Sequence, residues 1–311
     1  MKISIFRIVY FLAIFQISFE FSCPQHSIIL SITLTHLNPK VKKIVTAILS
    51  SLKSTNHKYH IVEETACWAD DIKKTEDRVH KGEDHYINIP FYDGIHPSEA
   101  KISHKSTDAV TFLKETRQKL IHSARRNKHP TEEDAINLRK YIHIWGDLHQ
   151  PLHTISRYHP KDLNGDNGGN QFLIEGGFSI GNLHSLWDQT MGEITHKKRP
   201  YTRRSFKQYE AIASEIQQEF SKISGKYSQI DPIIIANENH QIAIESAYKG
   251  ISEGEIPSNL YKYTNWRECK RLIATAAYRL SNDLNEIYSQ SSYQIDDTKT
   301  TDMHNDIDDD L

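Results

Sequence analysis

The chain has 311 residues, 38% of them hydrophobic and 25% charged, with a formal net charge of −2. Three cysteines exclude a fold held by a disulfide framework, and after residue 20 no stretch is apolar enough to span a bilayer. Setting aside residues 1–20 leaves a charge of −3, of which the last 21 residues carry −6, so the body between them is weakly basic at about +3.

Residues 1–20 read as a secretory signal peptide. Lys2 and Arg7 precede the apolar run Ile8 to Ile17, which is shorter than the roughly 20 residues of a membrane-spanning helix. A stable membrane anchor is not expected, and the mature protein is expected outside the cell or in the lumen of the secretory or lysosomal pathway. Residues 21–290 have the length of one helical domain. The aspartate-rich tail 291–311 reads as a disordered, solvated end.

Along the body the pattern is mainly α. Val41, Ile44, Val45, Ile48 and Leu49 have helical spacing over Lys40 to Leu52, with Pro39 suited to the start. Cys67-Trp68-Ala69-Asp70-Asp71-Ile72-Lys73 places carboxylates and a cation beside an aromatic ring, and His85-Tyr86-Ile87-Asn88-Ile89-Pro90 follows. Taken singly, each is an unremarkable structural segment. A helix is expected over Asp108 to Ala124, and Thr131 to Asp134 forms a capping box that opens the next one.

That next helix carries the most informative run, His143-Ile-Trp-Gly-Asp147-Leu-His149-Gln-Pro-Leu-His153. His143 and Asp147 are four residues apart and share a helical face. Pro151 ends the helix, because the residue before a proline avoids the helical region, and His153 can then turn back toward that face. His149 sits off it and is read as a structural hydrogen-bonding residue. His184 and Asp188 repeat the spacing in Asn182-Leu-His184-Ser-Leu-Trp-Asp188. In a chain with 18 histidines a lone pair of this kind is more often a surface interaction. Two pairs, His153 and the flanking Trp145 and Trp187 point instead to several zinc ions, since Zn²⁺ takes imidazole nitrogen and carboxylate oxygen.

Between the two pairs lies a glycine-rich loop, Asp162 to Asn170, followed by a possible small β-hairpin of Gln171 to Ile174 and Gly177 to Ile180. Phe206 to Ile223 and Arg267 to Tyr288 are amphipathic helices suited to packing. A Cys67–Cys269 bridge is conceivable, and nothing in the sequence decides it.

Together these segments resemble the secreted class I nucleases of fungi, plants and trypanosomatids, the S-one/P-one nuclease family. The matching pieces are Trp-Ala-Asp, His-aromatic, His-xxx-Asp-x-His-Gln-Pro-Leu-His, Gly-Gly-Asn and Asn-Leu-His-xx-Trp-Asp, in the family's order and over roughly residues 21–287. The resemblance implies an all-α fold, a single mostly helical domain shared with zinc phospholipase C, with a small β-hairpin.

It also implies a trinuclear Zn²⁺ endonuclease and 3′-nucleotidase acting on single-stranded RNA and DNA, with no obligate protein partner. Asp70, His85, His143 and a bridging Asp147 would hold one zinc, and His153, His184 and Asp188 a second. The third would use His26, Asp147 and the main-chain amine and carbonyl of Phe21, which stands where the family has tryptophan. Asp70, Asp147 and Lys73, the last in place of an arginine, would serve catalysis. Tyr86, Asn88 and Asn170 would contact substrate. Two other readings remain: a zinc-binding paralogue with weak or no catalysis, because the opening Phe21-Ser-Cys-Pro-Gln-His26 keeps only the histidine of the family's Trp-Gly-x-x-Gly-His, and a zinc phospholipase C.

Overall fold

The computed structural model describes residues 22–52, 59–73, 82–103, 105–175, 181–226 and 228–295, with only the backbone described at Lys73 and at 224–226. The fold is mostly helical, as expected. Its helices are α1 (Cys23–His36), α2 (Pro39–Ser51), α3 (Trp68–Lys73), α4 (Ala109–Arg126), α5 (Glu132–Leu148), α6 (Leu183–Asp188), α7 (Arg203–Glu219), α8 (Pro232–Ile242) and α9 (Asn259–Tyr288).

The centre is built by α1 and α9, which pack on each other and on α5 and α7. In α1 nearly every residue from Pro24 to Leu34 is buried, including Gln25, His26, Ser27 and Thr33. A helix buried all round has no amphipathic stripe, so sequence periodicity does not announce it. The middle of α9, Leu272 to Ser281, is buried in the same way. Its first turns are not: Leu260 and Tyr263 are exposed. The expected start at Arg267 therefore moves back to Asn259, where Ser258 caps the helix by accepting from the Tyr261 amide.

The capping box opens α5 as the sequence implies. Thr131 Oγ1 accepts from the Asp134 amide, and Asp134 Oδ2 accepts from the Thr131 amide at 2.7 Å. On the same helix Arg139, fully buried, donates to Leu49 O and Leu52 O. It thereby satisfies carbonyls that the end of α2 would otherwise leave unpaired.

Three expectations are corrected. The sheet is not a hairpin: β1 (Ile89–Tyr92) and β2 (Ile155–Tyr158) pair in parallel, Ile89 opposite Ile155. A parallel pair needs a long crossover, supplied here by α4 and α5. Of the hairpin expected after Gln171, an isolated antiparallel bridge joins Leu173 to Asn182; Gly177 to Ile180 lie outside the described residues. Second, Cys67 pairs with Cys23 and not with Cys269. Cys269 is buried in a separate apolar cluster with Trp187 and Tyr261. Third, the folded body runs past 290. Ser292 and Gln294 donate main-chain bonds to Ala124 O and Lys128 O, and Tyr293 is buried against α4. Residues 1–21, which include the expected signal peptide, and 296–311 of the acidic tail lie outside the described residues.

Two apolar clusters divide the molecule. The larger takes the helices around α1, α5 and α9; the smaller takes Leu152, Ile155, Leu183, Leu186 and Trp187. Trp145 anchors in the first, donating to Ala276 O, and Trp187 in the second, donating to the Tyr261 hydroxyl. The histidines and aspartates singled out above sit on elements from both sides of that seam.

Candidate metal centre

Eight side chains converge: His26, Asp70, His85, His143, Asp147, His153, His184 and Asp188. Their ligand atoms form three groups, each within 4.8 Å: His26 with Asp70 and His143, His85 with His143 and Asp147, and His153 with His184 and Asp188. Seven of the eight are buried, and Asp70 on α3 is half-buried.

Asp147 is the hub. Its Oδ2 lies 2.7 Å from His85 Nδ1 and 3.3 Å from His143 Nε2, while Oδ1 lies 3.2 Å from His26 Nε2. The same Oδ1 is 3.9 Å from His153 Nδ1. His143 Nε2 also lies 3.2 Å from Asp70 Oδ1. In the third group Asp188 Oδ1 is 3.7 Å from His153 Nε2, and Oδ2 is 3.3 Å from His184 Nε2.

Carbonyl oxygens orient three of the rings. His143 Nδ1 donates to Ala66 O at 2.7 Å, His153 Nδ1 to His85 O at 2.9 Å, and His184 Nδ1 to Gly168 O at 2.7 Å. A carbonyl only accepts, so each Nδ1 carries a proton and each Nε2 is the atom that faces its cluster. Gln150 orients a carboxylate in the same way: its Nε2 donates to Asp188 Oδ1 at 2.7 Å while its Oε1 accepts from the Leu152 amide. The sequence assigns Gln150 no role, and the orienting carbonyls leave no residue-type signal at all.

Local sequence explains the convergence. After α5 ends, Pro151 opens a 3₁₀ turn to Thr154 that swings His153 back under His85. Asn182 caps α6 by accepting from the Ser185 amide at 2.8 Å, which sets His184 and Asp188 on one face. The glycine-rich loop folds against both. Gly168 has φ +67°, and a Cβ there would stand 2.1 Å from Leu152 O; only glycine allows its carbonyl to reach His184. Gly146 on α5 serves another purpose: a Cβ would lie 2.7 Å from His26 Nδ1.

The electrostatics are strongly linked. Burial opposes charge on His143, but Asp70 and Asp147 outweigh it and raise that imidazole well above its ordinary pKa. Asp147 is held well below the usual carboxylate range: burial works against this, and His143 and His153 prevail. His26 moves down, through burial and then the neighbouring His143. The site therefore favours cationic charge beside its buried carboxylates. Asp147 Oδ1 and Asp188 Oδ2 are buried without a hydrogen bond, which a metal ion would compensate. Imidazole and carboxylate donors in groups of this size fit such ions.

The remaining candidates are less central. Tyr86 is half-buried, with the Lys105 ammonium 3.9 Å from its ring centre and in contact with its hydroxyl. Asn88 is half-buried between His85 and β1. Asn170 donates to Asn167 O and so closes the glycine-rich loop. Lys73 ends α3, its side chain outside the described residues, as is Phe21. His149 is buried; its Nδ1 donates to Trp145 O at 2.8 Å, the structural role read from its position.

A helical scaffold carries imidazole–carboxylate clusters at its centre. The family model for S1/P1 nuclease matches residues 21–289. The chain belongs to that family.

Among characterised relatives, Endonuclease 5 of Arabidopsis thaliana is 25% identical over 235 residues, 71% of this chain and 76% of its own. Endonuclease 2 of Arabidopsis thaliana is 28% identical over 151 residues, 47% of this chain and 49% of its own. Nuclease S1 of Aspergillus oryzae is 38% identical over 65 residues, 21% of this chain and 20% of its own. The chain thus spans about half the length of Endonuclease 2 and about three quarters of Endonuclease 5.

Proposed function

We propose that this protein is a secreted, zinc-dependent nuclease and 3′-nucleotidase that hydrolyses single-stranded RNA and DNA to 5′-phosphorylated products. The observation that supports it most is the split of Asp147 between two donor groups, one oxygen toward His26 and the other toward His85 and His143. Asp70, His85, His143 and Asp147 would hold one zinc, His153, His184 and Asp188 a second, and His26, Asp147 and the main chain of Phe21 a third. His26 is also within reach of Asp70 and His143, so its group shares donors with the first. The main chain one residue after Phe21 is held beside the second group: the Ser22 amide is 3.4 Å from the main-chain carbonyl of Asp188.

When bound, zinc supplies hydroxide at neutral pH and stabilises negative charge on a phosphate. The protein's own residues place and hold. Buried Asp147 keeps its charge because its pKa is depressed, so it remains an anionic anchor across the neutral range. Asp70, more open than the others, is proposed to face the incoming substrate. Lys73 is proposed to offset charge on the non-bridging phosphate oxygens. Tyr86 is proposed to stack a splayed base, which favours single strands because duplex bases are already stacked. Asn88 and Asn170 are proposed as polar contacts to the nucleotide.

Secretion is supported by the Cys23–Cys67 disulfide, since such bonds persist in oxidising compartments. Residues 1–20 are proposed as the leader, and no helix among the described residues is long and apolar enough to cross a membrane.

Elemental analysis of the secreted, N-terminally sequenced protein tests the metal, alongside hydrolysis of single-stranded RNA and of phosphatidylcholine. Three zinc ions, Phe21 as first residue and activity on RNA alone are expected. Fewer zinc ions with no hydrolysis would make it a weak zinc-binding paralogue, and activity on the lipid alone would make it a phospholipase.

A further inference from the structure

A cleft of about 420 Å³ lies among residues outside the metal cluster, a size suited to a small-molecule subsite. Its floor is the two-stranded sheet, with Phe91 from β1 and Arg157 from β2. Phe172 and Tyr248 wall it, their rings edge to face at 5.8 Å, and Tyr248 is 5.9 Å from Phe91. The Arg157 guanidinium lies over both walls, 5.4 Å from Phe172 and 5.9 Å from Tyr248. Asp93 at 2.7 Å and Glu253 at 3.2 Å hold it in that plane.

Those two acids are therefore engaged by Arg157. Lys161 and Lys249 at the rim are exposed and enter no ion pair among the described residues. Phe172 is nearly fully buried and braces the wall, while Phe91 and Tyr248 are half-buried and present ring surface. Tyr248 is held by its hydroxyl, which donates to Asp166 Oδ2 at 2.7 Å. It follows a π-helical stretch, Ala243–Ala247, and such stretches concentrate at functional sites.

The cleft is also close to the metal cluster along the chain. Arg157 is four residues beyond His153, at most about 13 Å of extended strand, and Phe172 is two residues beyond Asn170. Flat aromatic and guanidinium surface beside unengaged cations suits a base with its phosphate.

We propose that this cleft binds one nucleotide unit, the base against Phe91 and Tyr248 and the phosphate at Lys161 and Lys249. We assign that unit to the flanking part of a single strand whose scissile bond lies at the metal cluster; this assignment rests on the nuclease reading. A free mononucleotide presents the same base and phosphate, and the test separates the two sources.

The test uses the full holoenzyme and a double variant, Lys161→Glu with Lys249→Glu. The probe is a hydrolysis-resistant phosphorothioate oligonucleotide, followed by fluorescence anisotropy across a salt series, with 5′-dTMP followed by equilibrium dialysis. The double variant is expected to bind the oligonucleotide on the order of tenfold more weakly, its slope of log K against log salt smaller by about 1.4 for two lost contacts. Hydrolysis of 3′-AMP is expected to keep its wild-type kcat/KM. Phe91→Ala is expected to weaken the oligonucleotide without changing the slope. Weaker 5′-dTMP with unchanged oligonucleotide binding would assign the cleft to the free nucleotide. Wild-type affinity for both probes in the double variant would overturn it. Because the readouts are binding, they stay interpretable if the wild type hydrolyses no nucleic acid, which would fail only the nuclease reading.

Discussion

His26 and His143 lie stacked, ring centroids 3.8 Å apart and planes 19° from parallel, and each aims its Nε2 at a different oxygen of Asp147. One ring comes from the first turn of α1, the other from the middle of α5. The backbone of Gly146, the residue before Asp147, leaves the room in which His26 sits.

Gly146→Ala separates helix energetics from site geometry. Alanine in a helix interior is favoured over glycine by about 1 kcal/mol. Its Cβ, however, would stand 2.7 Å from the ring of a histidine that is 1% exposed and has nowhere to go. The variant is expected to fold and to lose metal at the His26 group, about one ion per chain by elemental analysis. Full wild-type metal content would refute this account of Gly146.

Gln150→Ala tests orientation of Asp188 without touching a ligand. Loss of the 2.7 Å bond frees the carboxylate to rotate. Metal affinity at the His153, His184 and Asp188 group is expected to fall roughly 10- to 100-fold, read by chelator competition. An unchanged affinity would show that packing alone holds Asp188.

Buried His149 sets part of the acid sensitivity. Burial and then Arg279 depress its pKa from 6.5 to about 3. Between those values the unfolded chain takes up a proton that the folded chain refuses, so stability falls as pH drops through 6.5. At pH 5 the loss is about 2 kcal/mol. His149→Asn keeps an amide donor for Trp145 O and removes the titration. Urea unfolding of both proteins at pH 7.5 and 5 is expected to show the wild type losing about 2 kcal/mol more than the variant; parallel losses would count against it.

The Cys23–Cys67 disulfide ties the start of α1, three residues before His26, to the turn that leads into Asp70. Cys23→Ser with Cys67→Ser is expected to cost about 4 kcal/mol, as for closure of a loop with separation 44 in the chain-entropy picture. It should also speed metal loss from the His26 group in a chelator chase. A stability change with no change in that rate would make the bond purely structural.

Much of the centre is legible in the amino-acid sequence. Helical spacing puts His143 with Asp147 and His184 with Asp188, and Pro151 implies the reversal that returns His153. The capping box at Thr131 and Asp134 locates the start of α5. The position of His149 sets it apart from the cluster, and it does face Trp145 and Arg279 instead. The features that the sequence hides have physical reasons. The α1 helix is buried on every side and has no periodic stripe, so only His26 stands out there. The parallel pairing of β1 with β2 joins segments more than sixty residues apart, and strands this short carry little local pattern. The choice of Cys23 as the partner of Cys67 depends on how α1 lies against the turn before α3.

Residue type and spacing by themselves determined five of the donors, His143, Asp147, His153, His184 and Asp188, with their pairing on helices and the helical class, because those follow from the 3.6-residue period and from the coordination chemistry of imidazole and carboxylate; Asp70, His85 and His26 entered only through the family resemblance. Tertiary structure alone decided how the donors divide: that Asp147 gives one oxygen to each side, that carbonyls of Ala66, His85 and Gly168 fix the rings, and that Gln150 steers Asp188. Those relations arise from the packing of six separate chain segments against two apolar clusters, and main-chain carbonyls have no letter of their own in a sequence.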